Sequence, residues 1–477
     1  MGIPRNNFYA QWRAQNQTRL FLREPDEPQP SERLVQGIWH HQRIVRDKLR
    51  TLDGRAVRIL HPGFWNHASG PDFRSAVIQF EGEAAKSGDI EVDLVPAGWH
   101  GHGHDRNAAF KNVILHVVWN KPERSTRMDT LALEPFLDAP FNEIQSAIGG
   151  ETGHSWPDEW RGKCCAPLSE LPSERVVELL QQAAWIRLQR KAGELEARAR
   201  QAGWEQALWE GLFRALGYKQ NVWPMQRLAE ILPVTAERQS SAVTLQARFL
   251  GSGGLLPDDV TDAPASATYL RNLWDIWWRE REKFSDIALP PTLWRFHGLR
   301  PANQPQRRLA LAAHWVAAPK FLQRLEKWFV EDDADVSEID SLLECLQPDC
   351  DEFWSWHWSL RSPRLSKPQP LLGASRVTDL AINVILPWFW IRAHAGKNQK
   401  LEALAEKRYF NWPAAQDNSV LKLARQRLLA GRTLRGMTTA ASQQGLLQVV
   451  RDFCEHSDAV CTNCLFPDLV RGWTQQK

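Results

Sequence analysis

The sequence predicts an α+β fold in which an N-terminal α/β part precedes a large, mainly α-helical region. Residues 31–45 (SERLVQGIWHHQRIV) place apolar side chains at helical spacing. Four β-branched or aromatic-rich runs separated by turn residues follow, at 56–60, 73–80, 89–95 and 112–119. From residue 173 onward, apolar residues recur three and four positions apart among interleaved charges. One helix, then strands, then many helices is a pattern typical of α+β proteins.

The same patterns divide the 477 residues into five segments. A Pro- and acid-rich stretch, EPDEPQPSE, disfavours a helix at the end of the N-terminal lead. At roughly 150 residues per domain, the length indicates two to four domains. We predict a polar lead (1–30), an α/β domain (31–125), a linker (126–165), one or more helical domains (166–450) and a cysteine-rich, zinc-binding tail (451–477).

Composition excludes a strongly basic or membrane-spanning protein. The 59 Lys and Arg residues nearly balance 56 acids, which leaves a net charge of +3 and no global basic field. The N-terminus lacks the apolar core of a signal peptide, and no apolar run reaches the roughly 18 residues that span a bilayer. We expect a cytoplasmic protein with no membrane partner. Most of the 24 Trp residues are expected in the core, although some are candidates for stacking on bases.

Acidic residues mark the second and third predicted strands. Asp72 follows Gly70-Pro71, and Asp89, Glu91 and Asp93 alternate along the next run. Because strand side chains alternate between faces, these three acids should project to one side, and a hairpin would bring Asp72 near Glu91. Converging carboxylates suit Mg²⁺ or Mn²⁺, which would activate water and stabilise charge on a phosphate. The alternative is a solvated strand face whose acids keep an edge soluble.

Histidines cluster directly after these acids. The segment from Trp99 to Asp105 carries His102 and His104, and His116 lies on the following run. Imidazole near carboxylates is suited to general-base chemistry near neutral pH or to a transition metal. A polar turn and a packed strand histidine are the alternative interpretation.

The C-terminal cysteines have the density of a structural zinc site. Cys454, Cys461 and Cys464 lie within eleven residues, and the last two have CxxC spacing. Tetrahedral zinc needs a fourth ligand, for which His456 and the Cys164-Cys165 pair are candidates. We predict a site formed by Cys165, Cys454, Cys461 and Cys464, which would pin the tail to the start of the helical region.

A further motif combines arginine with aromatic residues between Trp294 and Arg308. Arginine makes forked contacts to phosphate, so this segment is a candidate for holding nucleic acid. A loop whose arginines pair with helix ends explains the same residues equally well.

The Asp72 and Glu91 arrangement resembles that of the PD-(D/E)xK nuclease superfamily. The resemblance implies a nuclease-like α/β core in which both acids bind a divalent cation and Glu32 assists from the leading helix. In that superfamily a Lys two positions after the second acid stabilises the attacking hydroxide. Asp93 occupies that position here, so either another base such as Lys86, Lys111 or a histidine substitutes, or the site uses different chemistry, or it is inactive.

The chain as a whole resembles an uncharacterised bacterial family, domain of unknown function 2851. The resemblance rests on HPGFWNHASGPDFRSAVI, GDIEVDL, WHGHGHDRNAAFKNVILHVVW, LAINVILPWFW and the closing CTNC. We therefore predict a divalent-metal-dependent nuclease or nucleic-acid-processing protein with Glu32, Asp72, Glu91, His102, His104 and His116 as site residues. The alternative is a non-catalytic scaffold that binds nucleic acid or protein on a degenerate nuclease fold. A metallohydrolase acting on a small substrate through the histidines is a third possibility.

Overall fold

The structure is a computed structural model, and it shows a mixed α/β protein with a sheet in the N-terminal part followed by helices. It describes residues 7–21, 30, 32–66, 70–95, 99, 108–120, 128–141, 143–144, 164–218, 220–237, 239–257, 266–296, 299–331, 337–415, 419–432, 434–454 and 464–474. The chain divides into two compact units. The first comprises Met1–Ala197 together with Asp417–Lys477, and the second comprises Arg198–Gln416.

Six strands form the sheet of the first unit. They are β1 (Val57–His61), β2 (Phe64–Trp65), β3 (Phe73–Phe80), β4 (Lys86–Asp93), β5 (Val113–Val118) and β6 (Thr130–Ala132). Their order is β1-β3-β4-β5-β6, with β2 paired to β3. The pairs β1–β3 and β3–β4 are antiparallel, whereas β4–β5 and β5–β6 are parallel. The four predicted strands are present, and β6 arises within the segment predicted to be a linker.

Helix α2 (Glu32–His41) packs against β4, as the spacing of its apolar residues predicts. Leu34, Val35, Ile38 and Trp39 are all buried, because positions three and four apart fall on one face of a helix. The Trp39 indole nitrogen donates to the Pro62 carbonyl at 2.9 Å, which fixes α2 against the end of β1. The first residue of the helix, Glu32, is thereby held beside the sheet.

Helices complete the first unit. They are α1 (Phe8–Phe21), α3 (Cys165–Glu170), α4 (Ser173–Ala202, which continues into the second unit), α16 (Ser419–Leu429), α17 (Ala440–Val449) and α18 (Phe466–Thr474). A π-helical segment, Val450–Cys454, continues α17. Buried residues of these helices share one hydrophobic cluster that includes Tyr9, Leu180, Leu446 and Phe466.

The second unit is helical in the residues described. Its helices are α5 (Trp204–Leu216), α6 (Val222–Ile231), α7 (Val234–Glu237), α8 (Ala242–Ser252), α9 (Ala267–Glu280), α10 (Pro305–Ala317), α11 (Phe321–Val330), α12 (Glu338–Leu346), α13 (Ala374–Leu380), α14 (Leu386–Ala395) and α15 (Gln399–Asn411). Trp315, Trp354, Trp388, Trp390 and Trp412 are among its largest fully buried side chains. The prediction that most tryptophans fill the core is confirmed for these five. In the part of the chain that the structure describes, no helix is both long and apolar enough to cross a bilayer.

Candidate functional site

The β3–β4 hairpin brings Asp72 next to Glu91, as the sequence predicts. Asp72 directly precedes β3, and Phe73, its first residue, pairs with Ile90 on β4. Glu91 and Asp93 alternate with Ile90 and Val92, so that the two acids share one face of β4. All four of these β4 side chains are buried.

A β-bulge lies directly beside this pair of acids. Between Phe73 and Ala76 the register with β4 shifts, because three steps along β3 oppose two steps along β4. Ser75 in the bulge has a φ of +57°, in the left-handed region that non-glycine residues rarely adopt. Its backbone N–H donates to Asp89 Oδ1 at 3.0 Å. The register between β4 and β5 also shifts at Asp89, which is engaged with the bulge.

Backbone amides hold both principal acids. The Val92 N–H donates to Asp72 Oδ2 at 3.0 Å, and the Asp72 N–H donates to Glu91 Oε2 at 3.1 Å. Each carboxylate is therefore bound by the main chain of the other strand. These reciprocal hydrogen bonds fix both carboxyl groups, and in both of them the donor is a neutral backbone amide.

Helix α2 contributes Glu32 and Gln36 to the same place. These residues are four apart and lie on one helical face. The Gln36 Nε2 donates to Asp72 Oδ1 at 3.0 Å and to Glu32 Oε1 at 3.3 Å. Gln36 therefore links Glu32 to Asp72, and the assisting role predicted for Glu32 stays a prediction. Gln36 was missed by sequence reasoning, although its position one turn after Glu32 was the signal that could have revealed it.

Burial and mutual repulsion raise the pKa values of both strand acids. For Asp72, burial is the main cause, and Glu32 and Asp93 add repulsion that the donors Val92 and Gln36 only partly offset; its pKa rises to about 7. Burial also dominates at Glu91, where repulsion from Asp72, Asp93 and Glu32 helps to raise the pKa to about 9. The four acids thus form one electrostatic group, which we call the acidic cluster.

Asp93 makes a buried pair with His116. The Nε2 atom of His116 lies 2.9 Å from Asp93 Oδ2, and each residue is 2% exposed. Because His116 lies opposite Glu91 in the parallel β4–β5 ladder, the pair stands at the edge of the acidic cluster. Trp99 covers the imidazole, with ring centroids 5.5 Å apart. Position 93, where the PD-(D/E)xK pattern has a cation, is therefore occupied by an acid that engages a histidine.

The remaining predicted histidines and lysines either lie away from the acidic cluster or fall outside the described residues. His102 and His104 lie outside the described residues. Lys86 is at the opposite end of β4, about 16 Å along the strand from Glu91 at a rise of about 3.3 Å per residue, and it forms an ion pair with Glu83. Lys111 is exposed in the turn before β5. Lys86 therefore does not supply the missing cation.

The acidic cluster lacks a complete ligand set of its own. Within the described ranges, no three His, Cys, Asp or Glu side chains stand together in positions that would hold one metal ion. Mg²⁺ commonly takes only one or two carboxylates and fills its remaining positions with water and substrate oxygens. A pair such as Asp72 and Glu91 fits that requirement, whereas it does not fit a closed, all-protein site.

The cysteines predicted to bind zinc are only partly described. Cys461 and His456 lie outside the described residues. Cys454 is buried in the hydrophobic cluster of the first unit, and Cys464 packs against it. The neighbour of Cys165, Cys164, belongs to that cluster, whereas Cys165 itself is half-buried.

Two arginines of the Trp294–Arg308 segment, Arg307 and Arg308, have a structural role in the second unit, whereas Arg295 and Arg300 are exposed. Arg307 is fully buried and donates to the backbone carbonyls of Trp354, His357, Gln369 and Pro370. Arg308 donates to the Leu371 carbonyl, the Tyr218 hydroxyl and Asn303 Oδ1. These contacts brace irregular backbone between α12 and α13.

Comparison with known proteins places most of the chain in one family. The chain belongs to the family described as protein of unknown function DUF2851, which matches over residues 32–417. This match contains the acidic cluster and His116, and it ends before Cys454. No curated protein and no solved structure matches the chain.

Proposed function

We propose that the chain is a divalent-metal-dependent phosphodiesterase that cleaves nucleic acid, with Asp72 and Glu91 binding Mg²⁺ or Mn²⁺. The observation that carries the proposal is the pair of amide-held carboxylates whose pKa values burial and mutual repulsion raise to about 7 and about 9. Buried acids that repel one another are relieved either by a proton or by a cation. A bound ion would remove the repulsion and leave both groups ionised at neutral pH.

The bound ion would polarise the scissile phosphate and lower the pKa of its water. Side chains of α2 and the predicted histidines would surround the ion and its bound water. Gln36 donates to both Asp72 Oδ1 and Glu32 Oε1. Glu32 would accept a hydrogen bond from a metal-bound water or, after a shift of its side chain, serve as a third ligand. A histidine, either His116 or one of His102 and His104, orients or deprotonates the attacking water.

The decisive experiment compares two double variants on DNA and RNA. Asp72→Ala/Glu91→Ala removes both proposed ligands, whereas the control Asp47→Ala/Glu170→Ala removes two exposed acids of the same unit. We expect Mg²⁺- or Mn²⁺-dependent cleavage by the wild type and the control, and a loss on the order of 10²-fold or more in the first variant. If wild-type protein cleaves no nucleic acid with either ion, or if the first variant retains the activity, the proposal fails.

The second candidate function is a non-catalytic scaffold that binds nucleic acid or protein. The Asp93–His116 pair favours it, because the strand carries an acid bonded to histidine where the PD-(D/E)xK pattern has a cation. An acid cannot stabilise an attacking hydroxide through charge. Salt-dependent binding of labelled DNA or RNA that survives Asp72→Ala/Glu91→Ala, without cleavage, would support this function over the first.

A further inference from the structure

A stack of three aromatic rings lies directly beside the acidic cluster. The His40 ring lies 5.0 Å from the Trp65 ring, and the Trp65 ring lies 5.6 Å from that of Phe73, measured between ring centroids. The planes of these neighbouring rings are tilted by 45° and 30°. Phe73 is fully buried, Trp65 is half-buried and His40 is exposed, so the stack runs from the core out to solvent. We call these three residues the aromatic shelf.

The backbone holds the aromatic shelf in place from two sides. Trp65 belongs to β2, where it pairs with Phe73 on β3. Gly63 has a φ of +94°, and a Cβ atom there would lie 2.8 Å from Phe73 Cβ, so a larger residue would displace β2 from β3. On the other side, α2 carries His40 and is fixed at the end of β1 by the Trp39 indole. Rings that are already held in this way lose little freedom when a further ring binds to them.

The aromatic shelf and the acidic cluster share their supporting elements. Gln36, which donates to Asp72, lies one helical turn before His40, about 6 Å along α2 at a rise of about 1.5 Å per residue. Phe73 directly follows Asp72 in the chain. The backbone N–H of Asn66, directly after β2, donates to the Asp72 carbonyl at 2.7 Å. A molecule with one group at Asp72 and a ring next to that group would therefore contact both places.

An exposed arginine adds positive charge beside the same acids. Arg74 follows Asp72 by two residues and is exposed. A Cβ atom on Gly70 would lie 3.0 Å from Arg74 Nη2, so the guanidinium lies against the segment that leads into Asp72. Guanidinium groups bind phosphate through forked hydrogen bonds. Aromatic faces together with a cation favour a ligand that combines flat rings with negative charge.

We propose that the aromatic shelf stacks an unpaired base of a nucleic acid whose scissile phosphate lies at the acidic cluster, which makes single-stranded nucleic acid the substrate. The inference rests on the proposed phosphodiesterase activity and adds a strand preference to it. In a duplex the neighbouring bases cover both faces of each interior base, so the shelf can stack only on a base in a single strand or at an unpaired end. The competing explanation is that the three rings only seal the core between α2 and β3.

Binding of labelled oligonucleotides tests the aromatic shelf without depending on cleavage. Fluorescence anisotropy of the full-length protein gives the Kd for a single-stranded oligodeoxythymidylate of about 12 nucleotides and for a duplex of the same length, with Ca²⁺ in place of Mg²⁺. We expect the wild type to bind the single strand at least about 10-fold more tightly than the duplex. Trp65→Ala should weaken single-strand binding about 10-fold, through the loss of one stacked base, and leave duplex binding unchanged. Trp278→Ala, which removes an exposed Trp of the second unit, is the matched control and should change neither Kd.

Two further variants cover a loss of folding in Trp65→Ala. His40 is exposed, so His40→Ala removes the outer ring of the shelf without opening the core, and it should weaken single-strand binding about 3-fold. Trp65→Phe keeps a flat ring and should retain most of the affinity that Trp65→Ala loses. The inference is overturned if the wild type binds the duplex as tightly as the single strand. It is also overturned if folded His40→Ala and Trp65→Ala bind the single strand as the wild type does, or if Trp278→Ala weakens binding as much as they do.

The outcomes separate the aromatic shelf from the proposed activity. If the protein cleaves nucleic acid but Trp65→Ala alters neither the Kd nor the KM for a single strand, only the shelf is refuted. If single-strand binding depends on Trp65 but neither Mg²⁺ nor Mn²⁺ produces cleavage, the phosphodiesterase proposal fails and the shelf remains as a binding site. Where both hold, Trp65→Ala should raise the KM about 10-fold with little change in kcat, because the shelf binds the substrate away from the scissile bond.

Discussion

Each unit contains a carboxylate whose pKa burial acts to raise, yet the pKa values of the two groups are shifted in opposite directions. Asp72 in the first unit has a pKa raised to about 7 by burial and neighbouring acids. Asp72 is half-buried, whereas Asp351 in the second unit is buried, and burial acts to raise the pKa of Asp351 as well. Hydrogen bonds from His314, Trp354 and Gln246 outweigh that effect and hold the pKa of Asp351 below its usual value.

The difference lies in the number and charge of the partners. Asp351 Oδ2 lies 2.7 Å from His314 Nε2 and accepts from Gln246 Nε2 at 2.8 Å, while Oδ1 accepts from the Phe353 and Trp354 amides. Asp72 has two neutral donors and faces other acids. A carboxylate satisfied on both oxygens and paired with histidine serves the fold. A carboxylate surrounded by like charge is suited to a ligand.

We expect the largest difference in stability between two alanine variants, Asp351→Ala and Asp72→Ala. Asp351→Ala would leave four donors without their acceptor, which should lower the free energy of unfolding by about 3–5 kcal/mol. Asp72→Ala relieves repulsion and should leave stability unchanged or slightly higher. Thermal and urea unfolding of both variants checks this. Asp275→Ala, an exposed acid of the second unit, is the control, with an expected change within about 0.5 kcal/mol. Equal losses in Asp351→Ala and Asp72→Ala would refute the contrast.

The next largest effect on stability concerns the close packing of β4 against β5 at Gly88. A Cβ atom on Gly88 would lie 2.3 Å from Ile114 Cγ2 and 2.6 Å from the Asn112 carbonyl oxygen, so β4 and β5 would have to separate. We expect Gly88→Ala to cost about 2–3 kcal/mol. Gly373, where a Cβ meets nothing within 4 Å, is the control site. Unfolding curves of the two Gly→Ala variants provide the measurement, and a stable Gly88→Ala would contradict this close packing.

The contribution to stability should change with pH in opposite directions for the Asp72 and Glu91 pair and for Asp351. Asp72 and Glu91 have raised folded-state pKa values, so their stabilising protonation is complete below about pH 4, where the unfolded groups titrate. It is lost as pH rises through about 7 and about 9. Asp351, with a lowered pKa, contributes stability above about pH 4 that is lost as pH falls through its folded value.

Melting temperatures measured from pH 4 to 9 in a chelator test this difference. Asp72→Asn/Glu91→Gln should remove a pH-dependent loss on the order of 2 kcal/mol after solvent screening. Mg²⁺ or Mn²⁺ added at pH 8 should restore stability to the wild type but not to the double variant. A wild-type profile that keeps its high-pH loss in the double variant would show that other groups cause it.

We expect the smallest change in stability at the β3 bulge, where Ser75 lies. Ser75→Gly should relieve the left-handed backbone at φ +57° and change stability by less than about 1 kcal/mol, because glycine adopts that region freely but loses more entropy on folding. Calorimetry of the single variant provides the measurement. A loss above about 2 kcal/mol would mean that the Ser75 side chain, rather than its backbone, holds the bulge.

Periodicity was enough to predict the elements that carry the acidic cluster. The run 73–80 coincides with β3, and the buried face of α2 follows its apolar spacing. Alternation along β4 predicted that Glu91 and Asp93 share a face. It did not predict the separate engagement of Asp89, because a bulge changes register without a distinct local pattern.

Other features depend on tertiary contacts that a single sequence does not display. Strand β6 has only three residues, too few for an alternating pattern, and pairing with β5 defines it. Gln36 is important through its two acceptors, which come from different elements. Similarly, Cys164 and Cys165 are adjacent and identical in chemistry, so only the packing of α3 distinguishes them.

The reciprocal amide contacts of Asp72 and Glu91 have an evolutionary consequence. Each carboxyl group is positioned by peptide N–H groups, which every residue except proline possesses, so side-chain substitution at Val92 would leave its donor in place. The neighbouring positions can therefore vary without displacing the two acids. A lineage could exchange the residue at position 93, and with it the chemistry beside the pair, while inheriting the same anchoring of its carboxylates.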